Sequence, residues 1–114
     1  MLKYYISGAM TGVHDLNRPL FNRVAEIYKL KGVVLNPAIL PDGLTHKEYM
    51  IIDIAMLSCC DVIVMIAGWE YSEGAIEEYN YAILHGIKVE YWYQFQEDDI
   101  KNAYYDEMNE HINK

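Results

Sequence analysis

At 114 residues the chain has room for one domain built on a single core, expected over residues 1–114. Although 53% of its residues are hydrophobic, no apolar run nears the ~20 residues that cross a bilayer, and no signal-peptide pattern opens it. A cytoplasmic protein without a membrane partner is therefore expected. Nine basic against seventeen acidic residues leave a formal charge of −8 with no Lys/Arg cluster, which disfavours a nucleic-acid polymer but not a small ligand.

The first strand is expected at residues 3–7 (KYYIS), ending in Gly8-Ala9-Met10-Thr11-Gly12, whose glycines allow a tight turn with backbone close to a ligand. Leu20, Val24 and Ile27 recur at helical spacing beside Phe21, Ala25 and Tyr28, predicting a helix over 17–31 that Gly32 stops. Residues 33–36 read as a second buried strand, and Pro37 with Pro41-Asp42-Gly43 marks a loop. Thr45-His46-Lys47-Glu48 matches a capping box and opens a helix running to Ser58. Cys59 and Cys60 follow it. Adjacent cysteines and four scattered histidines make neither a disulfide framework nor a metal site, so no cofactor or metal is called for, and both cysteines read as small buried side chains.

Residues 61–66 (DVIVMI) form a central parallel strand covered on both faces, and 67–73 the loop after it. A third helix spans 73–85 with Gly86 as its stop, followed by an aromatic strand over 88–95. Ile100, Ala103, Tyr104, Met108 and Ile112 make the stripe of a last helix. Alternating strands and helices predict an α/β fold, a small doubly wound, flavodoxin/Rossmann-like parallel sheet of four to five strands flanked by helices. In such sheets ligands bind outside the carboxyl ends of the strands. Here those ends are 8–12, 36–40 and 67–73.

Two acids stand out. Asp53 is the only charge between Tyr49 and Cys60, on a helix apolar enough to be buried nearly all round, so its carboxylate needs either a protein partner or a ligand. Glu78 aligns with Gly74, Ala75 and Ala82, small residues that let a helix lie close to its sheet, whereas Glu77 shares a polar stripe with Glu73, Asn80 and Tyr81. Glu78 is the inward acid. It lies one turn inside a helix start, whose dipole favours the ionised, nucleophilic form. Ser72 either caps that helix or holds an oxygen of a ligand, and Trp69 either stacks on a base or covers the core.

The segments 5–12, Asn36-Pro37-Ala38, Tyr49-Met50 with Asp53, and Gly68-Trp69 followed by Ser72-Glu73-Gly74-Ala75 and Glu78 together resemble an uncharacterised phage and prophage family. That family is similar to the nucleoside 2-deoxyribosyltransferase-like superfamily. In better-known relatives a Ser or Asp, a Gly two residues on and a Glu four further precede an Ala, a pattern met by Ser72, Gly74, Glu78 and Ala82. The resemblance implies Glu78, Asp53 and Tyr5 as catalytic residues, with Gly8, Ala9, Met10, Thr11, Asn36, Trp69, Ser72 and Gly74 binding substrate. The implied reaction is cleavage or exchange of the N-glycosidic bond of a deoxynucleoside or deoxynucleotide through a glycosyl-Glu78 intermediate. A closed homo-oligomer is the default for such a site. The alternative reading of the same pocket is a non-catalytic nucleotide-binding or sensing module.

Overall fold

The computed structural model describes residues 1–93. The predicted last helix, and the end of the last strand at Phe95, lie outside the described residues.

Four strands, β1 (Lys3–Ser7), β2 (Val33–Leu35), β3 (Val62–Ile66) and β4 (Lys88–Trp92), form one all-parallel sheet in the order β2-β1-β3-β4. Helices α1 (Arg18–Lys29), α2 (His46–Ser58) and α3 (Glu73–Leu84) connect them, which makes the fold α/β. The chain steps from β1 to one side and later returns to the other, so the direction of winding reverses between β1 and β3. That reversal opens a crevice at the carboxyl ends of these two strands.

Period-two alternation sorts the sheet's side chains onto two cores. Tyr4 and Ile6 of β1 join Val62, Val64 and Ile66 of β3 against Phe21, Val24, Ala25 and Tyr28 of α1. Tyr5, Ile63 and Met65 point the other way, against Leu57 of α2 and Ala75 and Ala82 of α3. Every residue of β3 is buried, as a central parallel strand requires. β2 is an edge strand instead. Val33 is 45% exposed, so β2 is less buried than its apolar sequence suggests.

The capping box forms as predicted: Glu48 N–H donates to Thr45 Oγ1 (3.1 Å) and Thr45 N–H to Glu48 Oε1 (2.9 Å). Helix α2 is not buried all round, however. It covers the sheet only along Asp53 and Leu57, while Ile51 is 62% exposed, because α3 and the sheet occupy one side alone. Cys59 is exposed at the end of this helix and only Cys60 is buried. Before α1, Asp15, Leu16 and Asn17 all take positive φ (51°, 51° and 60°), a left-handed turn that no glycine announces in the sequence.

The two-sided reading of α2 is testable with one helix. Leu57→Ala, fully buried, should cost about 2–5 kcal/mol in urea unfolding, whereas Ile51→Ala should stay within about 0.5 kcal/mol.

Candidate functional site

Helix α3 starts where the loop after β3 turns back, and Ser72 caps it by accepting from Ala75 N–H at 3.2 Å. Its inner stripe is Ala75, Glu78 and Ala82, all buried, while Glu77 is exposed. The two alanines bring the helix axis close to the sheet, and this proximity carries the Glu78 carboxyl to β1. Tyr5 and Ser7 are two apart on β1 and face the same side. The Tyr5 hydroxyl donates to Glu78 Oε2 and the Ser7 hydroxyl to Glu78 Oε1, each at 2.6 Å. Tyr5 and Ser7 are fully buried and Glu78 is 4% exposed.

Asp53 reaches the same place from α2. It is buried, and among the described residues nothing donates to its Oδ1. Burial first, and the nearby Asp53 second, push Glu78 up to about 8 against the pull of the Ser7 and Tyr5 hydroxyls. Burial likewise raises Asp53 to about 6, offset by its interaction with Glu78 and by His46. The two carboxyls therefore titrate as a pair. Desolvation outweighs the helix dipole, so Glu78 is not the readily ionised acid that its position near a helix start suggests.

Both acids open on a cavity of about 170 Å³ at the carboxyl ends of β1 and β3. That is more than ten times the ~10–15 Å³ that one water needs. Glu78, Asp53, Gly8, Met10, Thr11, Ser72 and Gly74 line it. Tyr5 lies behind Glu78 and acts on the cavity only through that carboxyl. Gly74 permits the close approach of α3 to α2, since a Cβ there would meet Met50 Sδ at 3.3 Å.

Three residues singled out from the sequence are elsewhere. The Ala9 carbonyl accepts from Asn17 Nδ2 at 2.9 Å. Asn36 caps the short 3-10 turn Pro37–Ile39, accepting from Ala38 N–H at 3.0 Å, and its amide donates to Asn22. Trp69 stacks on Tyr79, ring centres 4.7 Å apart, and both pack against the core beneath α2 and α3. None of the three lines the cavity.

Conversely, Ser7, Arg18, His46 and Tyr49 belong to the site or its rim although the sequence reading assigns none of them a site role, Ser7 and Tyr49 entering only as parts of the resembling segments. Alternation pairs Ser7 with Tyr5 and could have flagged it. Arg18 and His46 are the first residues of α1 and α2, and only the tertiary arrangement brings both helix starts to one mouth.

Residues 2–91 match the model of a domain of unknown function, DUF4406. The chain belongs to this family. No curated protein and no solved structure matches it. The DUF4406 segment contains every residue that lines the cavity, so the pocket is built entirely from the family domain. Among the described residues no helix is long and apolar enough to cross a membrane.

The raised carboxyls have a stability consequence of definite sign. An acid whose folded pKa exceeds its unfolded value stabilises the fold below the unfolded value, and this contribution is lost as pH rises through the folded one. The native chain should therefore lose stability in urea between pH about 4.5 and about 8 through Glu78, and Glu78→Gln should flatten that slope.

Proposed function

We propose that this DUF4406 domain cleaves or exchanges the N-glycosidic bond of a 2′-deoxynucleoside or deoxynucleotide, as its resemblance to nucleoside 2-deoxyribosyltransferase-like enzymes suggests. The observation that carries the reading is two buried carboxyls on one cavity. One is gripped through both oxygens, and the other has an oxygen without a protein donor. A buried, unpaired acceptor costs stability unless something else uses it. A ligand group that donates a hydrogen bond to that oxygen is a fitting partner.

The reaction needs one proton on the pair. At rest that proton sits on Glu78, the acid raised further; it passes to Asp53 when substrate binds, which leaves Glu78 ionised with Tyr5 and Ser7 holding its oxygens in place. A Glu78 oxygen bonds the anomeric carbon while the carbon–nitrogen bond breaks, the electron pair leaves with the base, and Asp53 delivers its proton to the base nitrogen. Water or a second base then attacks the anomeric carbon. The ester bond breaks, Glu78 regains its electron pair, and Asp53 takes back a proton from the attacking group. The oxocarbenium character of both transition states suits the carboxylate beneath the sugar.

In this reading the sugar ring would lie against Glu78 and the nucleobase towards His46, Tyr49 and Thr11, all of which line the cavity. The same resemblance carries the phage or prophage setting, while the cytoplasmic location expected from composition and the closed homo-oligomer that is the default for such a site complete this reading. Nothing in the proposed chemistry requires a metal or another cofactor.

Chromatography of a panel of 2′-deoxynucleosides and their monophosphates tests the reading. The native chain should release free base, and Glu78→Gln should lower the rate by at least about a hundredfold. The pH profile of kcat/KM should be bell-shaped, highest between about 6 and about 8, where the pair holds a single proton. No base from any panel member would overturn it. Ligand-dependent thermal shifts without base release would mark a binding module instead.

A further inference from the structure

Within the cavity lining, Arg18 and His46 are the only side chains that can carry positive charge. Neither stands alone. Arg18 Nη2 donates to Asp42 Oδ1 at 2.5 Å, and Arg18 Nη1 lies 3.8 Å from Asp15 Oδ1. His46 Nε2 lies 3.9 Å from Glu77 Oε1. Behind them sit Asp53 and Glu78, so acids accompany every basic group from mouth to floor.

The Arg18 pair joins two loops across the rim. Arg18 opens α1, whereas Asp42 belongs to the loop between the Pro37–Ile39 turn and α2. Asp15 reaches the same guanidinium because it is part of the left-handed turn, which the bond from Asn17 Nδ2 to the Ala9 carbonyl ties to the end of β1. Since Asp42 is 74% exposed, the ion pair itself contributes little to stability. Its consequence is occupancy: the guanidinium already holds a carboxylate where an anionic ligand group would bind.

We infer that Asp42 is a specificity-determining residue that fills the anion position on Arg18, so that the cavity takes an uncharged deoxynucleoside in preference to its 5′-monophosphate. This rests on the reading of the cavity as a nucleoside site and deepens it. A phosphate at the mouth must displace Asp42 from the guanidinium and still face Asp15 beside it and Asp53 within the cavity, with a chain of formal charge −8 around it. A 5′-hydroxyl meets none of this repulsion and finds polar partners in the same rim. Negative charge set against an unwanted ligand is a recognised source of discrimination.

The test is calorimetric titration of the full chain carrying Glu78→Gln, which removes the proposed nucleophile, with the four common 2′-deoxynucleosides and their 5′-monophosphates. The best-bound nucleoside should bind about tenfold more tightly than its monophosphate at low salt, and the gap should shrink towards ~1 M salt as charges are screened. Asp42→Asn should narrow it by about fivefold through tighter monophosphate binding alone, and Arg18→Met added to Asp42→Asn should cancel that gain. Several outcomes would overturn the inference: a monophosphate bound as tightly as its nucleoside, an Asp42→Asn change that strengthens both ligands equally, or binding of neither compound. Because binding is read without turnover, this result stands apart from base release by the native chain, which tests the proposed reaction.

Discussion

A carboxyl group placed at the centre of a small α/β domain organises the site. Burying an ionisable acid is costly unless its oxygens find donors, and Glu78 finds one for each oxygen in the hydroxyls of Tyr5 and Ser7. Both donors come from β1 because alternate residues of a strand share a face. The acid can reach them because α3 presents alanines, rather than larger side chains, at the neighbouring turns of its inner stripe. Enlarging either alanine would push the helix outward and lengthen both bonds. The Tyr5-Ser7 pair and the Ala75-Ala82 pair are therefore one device, split between two elements far apart in sequence.

The second acid follows from the first. Asp53 sits near enough to Glu78 for their protonation to be linked, and its raised affinity for a proton comes first from burial. One group is fixed by two hydroxyls and the other keeps a free oxygen, an asymmetry that suits different roles for two chemically similar residues. The rim carries the remaining charges as acid–base pairs. The floor and the mouth thus differ in kind: the floor holds a proton to be moved, whereas the mouth holds basic side chains each set beside an acid.

Much of this arrangement is legible in the sequence because it depends on local periodicity. The helical wheel separates Glu78 from Glu77 by a single residue's rotation, and the structure buries the one and exposes the other. Asp53 stands out as the lone charge in an apolar helix, although that helix is far more exposed than its composition suggests, since hydrophobic content does not reveal how many sides are covered. The capping box at Thr45 and Glu48 is a purely local interaction and forms as read. Features that depend on distant contacts are not legible in this way. The stack of Trp69 on Tyr79, the bond from Asn36 Nδ2 to Asn22 Oδ1 and the meeting of Arg18 with Asp42 each require the folded chain. The left-handed turn at residues 15–17 is hidden for another reason: it uses Asp, Leu and Asn, where glycine would have been the usual signal.

The most direct measurement of the central claim is mass spectrometry of the native chain incubated with 2′-fluorinated deoxynucleosides, whose fluorine destabilises positive charge at the anomeric carbon and slows release of a trapped sugar. The account predicts that the peptide containing Glu78 gains the mass of the fluorinated sugar, and that Glu78→Gln abolishes the adduct. Free base accumulating without any adduct, or the sugar found on another residue, would contradict it.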